Sequence, residues 1–254
     1  MLKIDERRQK ILDRLRRDGR VYVSELCRDL GVTPVTVRND LGALEKDGYL
    51  ERMSGGAVHI DRGSRRGSTP TRNVNRFEAK KAIAEKVAGF IKDGNTIFIN
   101  SGSTAMLVAE ELKKLSHLNV VTNSLAVANA LCDADTFRVT LLGGELNTKY
   151  GFTYGTDAEQ KLGKYHADFA ILSIDGIGAN GGITTYHSEE APIDRLMIEG
   201  GHEVIIAADG TKVGRAGFMR VSDELDGIHL VTGCDADKDE LNALSALGVR
   251  VTVS

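Results

Sequence analysis

At residues 96–104 the chain reads Thr-Ile-Phe-Ile-Asn-Ser-Gly-Ser-Thr, which predicts a short buried strand, a hydroxyl-rich turn and the start of a helix. Beyond the turn, apolar residues recur at Ala105, Val108, Ala109 and Leu112, the spacing of one helical face. The N-terminus of a helix offers free backbone N–H groups and the positive end of the helix dipole, which together can hold a phosphate. We therefore predict an anion-binding turn, made of Ser101, Gly102, Ser103 and Thr104.

The same alternation of strand and helix continues over residues 76–254. Recurring units of this kind indicate an α/β fold, a mainly parallel Rossmann-like sheet with helices on both faces. Strands are expected near residues 97–99, 120–121, 139–142, 169–173, 204–208, 229–231 and 251–253. Helices are expected at residues 104–115, 124–132, 156–163, 188–199 and 237–247.

Small polar or glycine-rich turns follow five of the predicted strands, at residues 101–104, 122–124, 143–145, 175–178 with 181–185 beyond, and 209–212. Each alone has an ordinary structural explanation, because Gly and Ser are common turn residues. Ligands of parallel sheets bind at the carboxyl ends of the strands, so five such turns at one end favour a shared pocket. A phosphorylated polyhydroxy ligand fits them, with Lys212 adding positive charge and Asn123, Ser124 and Asp175 binding hydroxyls. The predicted effector-binding residues are Ser101, Gly102, Ser103, Thr104, Asn123, Ser124, Gly143, Gly144, Asp175, Gly176, Gly182 and Lys212.

The first part of the chain has a different charge and pattern. Residues 1–72 carry 16 Lys/Arg and 11 Asp/Glu, a net charge of +5, whereas residues 73–254 carry 17 and 25, a net of −8. Three helices are predicted at residues 5–18, 24–30 and from 34 onward, and a two-stranded hairpin turns near Gly55. This order is typical of a winged helix-turn-helix domain that binds DNA.

The third of these helices would enter the major groove. Arg can pair with guanine, Asn with adenine, and Thr with phosphate or a thymine methyl group. One such helix could equally be an ordinary charged surface helix, but its setting in a basic three-helix-and-hairpin unit favours DNA binding. The predicted DNA-binding residues are Thr33, Val35, Thr36, Arg38, Asn39 and Arg52.

Composition divides the chain into three parts. We predict a DNA-binding domain at residues 1–60, a linker at residues 61–75 that is rich in Gly, Ser and polar residues, and an effector-binding domain at residues 76–254. No long apolar run or signal peptide is present, and the Cys and His residues show no metal-ligand spacing. We therefore expect a cytoplasmic protein with no membrane contact, cofactor or metal.

The motifs also resemble a known family. Residues 32–41 (Val-Thr-Pro-Val-Thr-Val-Arg-Asn-Asp-Leu) resemble the N-terminal signature of DeoR-type bacterial transcriptional regulators. Residues 100–104, 141–146, 175–185 and 207–218 resemble the effector domain of the same family, which is similar in fold to ribose-5-phosphate isomerase. The resemblance implies a regulator of a carbohydrate-utilisation operon that senses a phosphorylated sugar or related metabolite. Repression is the commoner mode in the family, and activation is the alternative.

Some details follow the family and others depart from it. The resemblance places Lys212 in the pocket, since Asp209-x-x-Lys212 is a family hallmark, and Lys80 matches a basic position that the family often has. Arg38 is followed by Asn39 rather than by a second arginine, which implies a different operator sequence. Residues 147–155 match less well, and selectivity for the ligand is expected there.

The rival interpretation is a sugar-phosphate isomerase with an appended DNA-binding domain. Isomerases of this fold have a second Asp where this chain has Gly178 and a Lys where it has Asn180. Glu189 or Glu190 could serve as a base, but each opens a helix, where a carboxylate has a structural reason to lie. We therefore predict no catalysis. A single winged helix reads too short a site for high specificity, so a homodimer or homotetramer on an operator of double-stranded DNA is expected.

Overall fold

The computed structural model describes residues 7, 8, 10–12, 14, 15, 20–46, 50–53, 55–59 and 70–254. The chain divides into two compact units, Met1–Arg66 and Gly67–Ser254. In the part of the chain described, no helix is both long and apolar enough to cross a membrane.

The N-terminal unit combines helices with a small antiparallel sheet. Residues 7, 8, 10–12, 14 and 15 are helical. Strand β3 (Gly56–His59) pairs with both β1 (Arg20–Tyr22) and β2 (Leu50–Met53), which makes β2 and β3 the wing hairpin. The predicted winged helix-turn-helix pattern is thereby confirmed. The other elements are β1 (Arg20–Tyr22), α1 (Val23–Leu30), α2 (Pro34–Lys46), β2 (Leu50–Met53) and β3 (Gly56–His59).

Helix α2 packs through the face that its sequence spacing predicts. Val37, Leu41 and Leu44 are buried in the core of this unit. The Thr33 hydroxyl accepts the Thr36 backbone N–H at 3.3 Å and so caps the helix. The helix then begins at Pro34, where the missing N–H costs nothing.

The C-terminal unit is built on a seven-stranded parallel sheet. Across the sheet, the strands in order are β15 (Arg250–Val253), β14 (His229–Thr232), β12 (Gly201–Ala207), β9 (Ala167–Leu172), β4 (Thr96–Ile99), β5 (Asn119–Thr122) and β6 (Arg138–Leu141). Every neighbouring pair runs parallel. All seven predicted strands belong to it, which confirms the α/β class. Its elements are α3 (Pro70–Ala88), β4 (Thr96–Ile99), α4 (Ser103–Leu112), β5 (Asn119–Thr122), α5 (Leu125–Ala130), β6 (Arg138–Leu141), β7 (Glu145–Asn147), β8 (Phe152–Tyr154), α6 (Thr156–Leu162), β9 (Ala167–Leu172), β10 (Gly176–Gly178), β11 (Gly182–Thr185), α7 (Ala191–Gly200), β12 (Gly201–Ala207), a 3₁₀ turn (Gly210–Lys212), β13 (Met219–Ser222), β14 (His229–Thr232), α8 (Lys238–Ala246) and β15 (Arg250–Val253).

Strand β4 lies in the interior of this sheet and is buried on both faces. Ile97 and Ile99 belong to one apolar cluster, whereas Phe98 belongs to the other. Successive side chains of a strand point to opposite faces, so this apolar run feeds two cores at once. Residues 96–99 thus pack against the apolar clusters on both faces of the sheet.

Two predictions about local structure are wrong. Residues 176–178 and 182–185, predicted as glycine turns, are strands β10 and β11 of a second, antiparallel sheet that also contains β13. The glycines permit close approach: a Cβ on Gly176 would lie 2.4 Å from the Arg215 carbonyl oxygen, and one on Gly182 2.3 Å from that of Ser222.

The predicted linker also extends too far. Helix α3 begins at Pro70, so residues 70–75 are helical rather than a linker. The rest of that prediction, residues 61–69, lies outside the described residues.

Candidate DNA-binding surface and effector site

The predicted DNA-contacting face of α2 is open to solvent. Val35 is 63% exposed, and Arg38 and Asn39 are exposed as well. Thr33 is exposed at the cap of the helix, and Thr36, partly buried, bonds to it. The structure therefore leaves these side chains accessible, and their contact with DNA stays a prediction.

Arg52 lies on the wing, and the wing is tied to α2. Its backbone N–H donates to Glu45 Oε1 at 2.9 Å. Its guanidinium lies beside Gly42, where an added Cβ would be 3.6 Å from Nη1. The structure therefore sets the exposed Arg52 next to α2.

One residue of α2 that the sequence interpretation missed is Asp40. Its carboxylate is only 2% exposed and accepts from Arg7 Nε, from Arg7 Nη2 at 3.1 Å and from Arg8 Nε at 3.3 Å. The hydrogen bonds that Arg7 donates to Asp40 raise the pKa of its guanidinium, although burial acts in the opposite direction. Asp40 precedes the buried Leu41 and so lies on the core side of the helix. A carboxylate there needs a hydrogen-bond partner. The sequence position of Asp40 was therefore a signal that could have indicated its buried contacts.

The predicted anion-binding turn joins β4 to α4 through a strained glycine. Gly102 has φ 138°, a conformation that L side chains rarely adopt, and a Cβ there would lie 2.6 Å from Ser173 Cβ. The Ser173 hydroxyl accepts the Ala105 N–H at 2.9 Å and occupies one donor of the first helical turn. Ser101, Ser103 and Thr104 share the turn, and Thr104 is buried.

Two lysines have defined partners in this region, and one of them, Lys80, reaches the turn. Lys80 on α3 donates from Nζ to Ser103 Oγ at 3.0 Å and lies 3.8 Å from Asp209 Oδ2. Lys212 on the 3₁₀ turn donates from Nζ to Asp175 Oδ1 at 3.2 Å. The sequence indicates Lys80 only as a basic position that the family often has, because no local sequence pattern predicts a contact between residues 80 and 103.

Two buried carboxyl groups lie behind the turn. Ser101 Oγ donates to Glu190 Oε1, and Asn100 Nδ2 donates to Asp194 Oδ1 at 2.8 Å. Burial raises the pKa of Glu190 well above its usual range, and Asp194 adds to the effect. Burial, opposed by the hydrogen bond from Asn100, raises the pKa of Asp194 to about 8.

These contacts correct one step of the sequence interpretation. Glu190 stands at the N-cap of α7, yet no side-chain capping bond joins its carboxyl to the helix within the described residues. Its carboxyl contacts the turn that follows β4 instead. Asp194 was missed, although it follows the buried Ile193 on the core side of α7.

The polar residues after β5 hold a hairpin. Asn123 Nδ2 donates to the Thr153 carbonyl at 3.2 Å, and the Thr153 N–H donates to the Asn123 carbonyl at 2.8 Å. Ser124 caps α5 by accepting the Val127 N–H at 3.2 Å. Asn123 Oδ1 is buried and has no hydrogen-bond partner in the described structure, so it keeps an acceptor to offer.

The hairpin β7–β8 also reaches the loop after β11. The Tyr150 ring packs on His187, with ring centroids 4.1 Å apart. Gly144, with φ 120°, precedes the hairpin at a point where a Cβ would lie 2.5 Å from the Tyr154 carbonyl oxygen, whereas a Cβ on Gly143 would have nothing within 4 Å among the described residues. The segment that matches the family less well is therefore joined to both β5 and the loop before Glu190.

The predicted effector residues thus fall into four groups. Ser101, Gly102, Ser103 and Thr104 form the turn, and contacts through Lys80 and Glu190 connect it to neighbouring elements. Asp175 and Lys212 form an ion pair, and the negative charge of Asp175 contributes to the raised pKa of Glu190. Asn123, Ser124 and Gly144 adjoin the hairpin, with the exposed Gly143 next to them in sequence, and Gly176 and Gly182 support the second sheet.

Comparison with known proteins agrees with this two-part organisation. The protein is 34% identical over 250 residues to the "Putative aga operon transcriptional repressor" of Escherichia coli O157:H7, covering 97% of this chain and 92% of that protein. It is 34% identical over 220 residues to the "Glycerol-3-phosphate regulon repressor" of Escherichia coli K12, covering 87% of each.

A ribose 5-phosphate isomerase structure from Methanocaldococcus jannaschii superposes with a TM-score of 0.40 at 16% identity, over 54% of each chain. Residues 7–63 match the DeoR-like helix-turn-helix domain, and residues 75–233 match the DeoR C terminal sensor domain. The chain therefore belongs to the DeoR family.

Proposed function

We propose that the protein is a cytoplasmic transcriptional repressor of a carbohydrate-utilisation operon, whose operator binding is controlled by a phosphorylated sugar or related metabolite. The observation that carries the proposal is the turn at Ser101–Thr104, where Lys80 reaches Ser103 from another helix, in a chain that also has an exposed recognition helix. The names of the two relatives, both repressors, agree with it.

The ligand would bind through its phosphate at the turn. Hydroxyl donors, the dipole of the ten-residue helix α4 and Lys80 would compensate its charge. Asp175, paired with Lys212 at the edge of the same site, would accept hydroxyl groups of the sugar. Asn123 Oδ1 would accept another hydroxyl or hold the hairpin that covers this end of the sheet.

Control of DNA binding would arise by linkage. An effector shifts an equilibrium only if it binds one arrangement of the protein better than the other. We propose that a homodimer or homotetramer presents its recognition helices to repeated half-sites, and that the effector favours the arrangement with the wrong spacing. Arg38 and Asn39 would read the bases, while Thr33, Thr36 and Arg52 would contact the backbone.

We also propose that the site binds its ligand without converting it. Gly178 and Asn180 stand where isomerases of this fold have an acid and a lysine, which leaves the buried Glu190 without those partners. Turnover of ribose 5-phosphate by the purified protein, abolished by Asp175→Ala, would overturn this part of the proposal.

The test separates the two activities. Operator DNA is first selected from a random duplex library with the full chain, and ligands are screened by thermal shift among phosphorylated sugars, polyols and sugar acids. Specific ligands raise the melting temperature by mass action, and the non-phosphorylated counterparts serve as controls. Ser103→Ala combined with Lys212→Ala should retain DNA binding but lose its response to ligand.

Two further variants complete the design. Arg38→Ala should weaken DNA binding and leave ligand binding intact. Lys80→Ala should lose ligand binding, whereas Lys81→Ala, a matched change at a lysine 4.0 Å from Glu85, should not. The proposed division of labour is wrong if the Arg38 variant and the Ser103/Lys212 variant each lose both activities.

A further inference from the structure

We propose that Glu190 is part of the effector site and works there in its protonated form, so that the site takes up an anion together with a proton. This inference rests on the function proposed above and adds a second input, the pH of the cell. No motif assigns this role to Glu190, and its basis is the surroundings of the carboxyl group.

Glu190 contacts the anion-binding turn directly. Its side chain is 5% exposed, and Oε1 accepts the hydroxyl proton of Ser101. Its backbone N–H donates to the His187 carbonyl at 3.1 Å, which anchors the residue at the start of α7. The carboxyl thus reaches the turn from a separate element and is positioned next to any anion bound there.

Its immediate surroundings are acidic. Asp194, one helical turn further along α7, is 1% exposed; its Oδ1 accepts from Asn100, and its Oδ2 is buried with no hydrogen-bond partner among the described atoms. Ionising a buried carboxyl group whose oxygen accepts no hydrogen bond costs free energy. This cost favours a bound proton on the pair formed by Glu190 and Asp194. Asp175 approaches from the end of β9 and adds further negative charge.

The cations nearby have other partners. Lys212 donates to Asp175 from the 3₁₀ turn, and Lys80 donates to Ser103 from α3. Asp209 lies 3.8 Å from Lys80, and His187 packs on Tyr150. Within the described residues, no lysine or arginine forms an ion pair with Glu190. Burial and the neighbouring Asp194 therefore raise its pKa well above the usual range, opposed by the bond from Ser101.

A bound anion would strengthen this preference. An ionised Glu190 would repel a dianion at the turn, whereas a neutral carboxyl can donate its own O–H. The pKa of the carboxyl in the complex then exceeds that in the free protein, and binding draws in a proton. Affinity is highest below the free-protein pKa and falls by up to about tenfold for each pH unit between the two pKa values.

Sulfate is the probe, because its charge stays constant from pH 5.5 to 8.5. The full chain is titrated with sulfate calorimetrically at constant ionic strength, in two buffers of different ionisation enthalpy, which gives both affinity and protons bound. Wild-type protein should take up between zero and one proton per sulfate and bind about tenfold more weakly at the upper end of the range. Glu190→Gln, neutral at every pH, should bind sulfate with a flattened profile and reduced proton uptake.

Asp194→Asn is the matched variant, because it removes a neighbouring charge and leaves the contact between Glu190 and Ser101 in place. It should keep the proton uptake but shift it to lower pH. Two results would overturn the inference: wild-type affinity that is constant across the range without proton uptake, or a Glu190→Gln variant with the wild-type profile. In either case sulfate binding itself would leave the proposed effector site standing. Failure of sulfate and of every phosphorylated ligand to bind would refute both.

Discussion

Replacing Gly102 by alanine should destabilise the C-terminal unit, and the loss of free energy follows from the backbone angles of Gly102 and its distance to Ser173. The residue has φ 138° and ψ 158°, a region that is essentially restricted to glycine and costs about 1–3 kcal/mol for other residues. The new Cβ would lie 2.6 Å from Ser173 Cβ and 2.9 Å from its Oγ. Moving Ser173 away would also break its hydrogen bond to the Ala105 N–H, worth about 1 kcal/mol.

Together these terms come to about 3 kcal/mol, which corresponds to a fall of roughly 6–12 °C in the melting temperature of a unit of this size. Differential scanning calorimetry of the full chain measures it directly. Gly143→Ala is the matched control, since that glycine also follows a strand of the parallel sheet but has nothing within 4 Å among the described residues. It should change stability by less than about 0.5 kcal/mol. Equal melting temperatures for the two variants would refute the assigned backbone conformation.

Three further predictions concern buried charges. Because the pKa of Asp194 is raised to about 8 by burial, the folded form binds more protons than the unfolded form between about pH 4 and 8. Stability should therefore fall as pH rises through this window, by up to about 1.4 kcal/mol per unit, and Asp194→Asn should flatten the calorimetric profile. Burial lowers the pKa of His229 to about 4, with Arg250 adding to the effect, so stability should fall as pH drops from 6.5 towards 4, and His229→Gln should remove this loss. Asp40→Asn should cost about 2–3 kcal/mol and weaken operator binding in mobility-shift assays, because the buried ion pair between Asp40 and Arg7 is broken; unchanged stability and affinity would contradict the assigned pairing.

Periodicity was sufficient to predict the main architecture. All seven strands of the parallel sheet were located, because a strand buried on both faces shows as a continuous apolar run such as Ile97-Phe98-Ile99. The antiparallel sheet of β10, β11 and β13 was not predicted. Its strands contain glycines such as Gly176 and Gly182, which are also typical of turns, and only the backbone approaching them distinguishes the two.

The candidate site, like the fold, was predictable from the sequence only in part. The turn at Ser101–Thr104 was evident from residue types alone, since hydroxyl residues at a helix N-terminus have a local reason to bind anions. Lys80 and Asp194 were not assigned to it. Their contacts with Ser103 and Asn100 span 23 and 94 residues of the chain, and no local pattern carries that information.

By itself, the sequence determined the α/β class, the winged helix-turn-helix pattern and the position of the hydroxyl-rich turn at Ser101–Thr104, because each depends on residue spacing within one or two elements. The tertiary structure alone decided what surrounds that turn: a lysine on Ser103, a buried carboxyl on Ser101 and a hairpin tied to Asn123. The raised pKa of Glu190 belongs to this second category. It depends on desolvation and on the distances to Asp194 and Asp175, which exist only after distant parts of the chain have packed together.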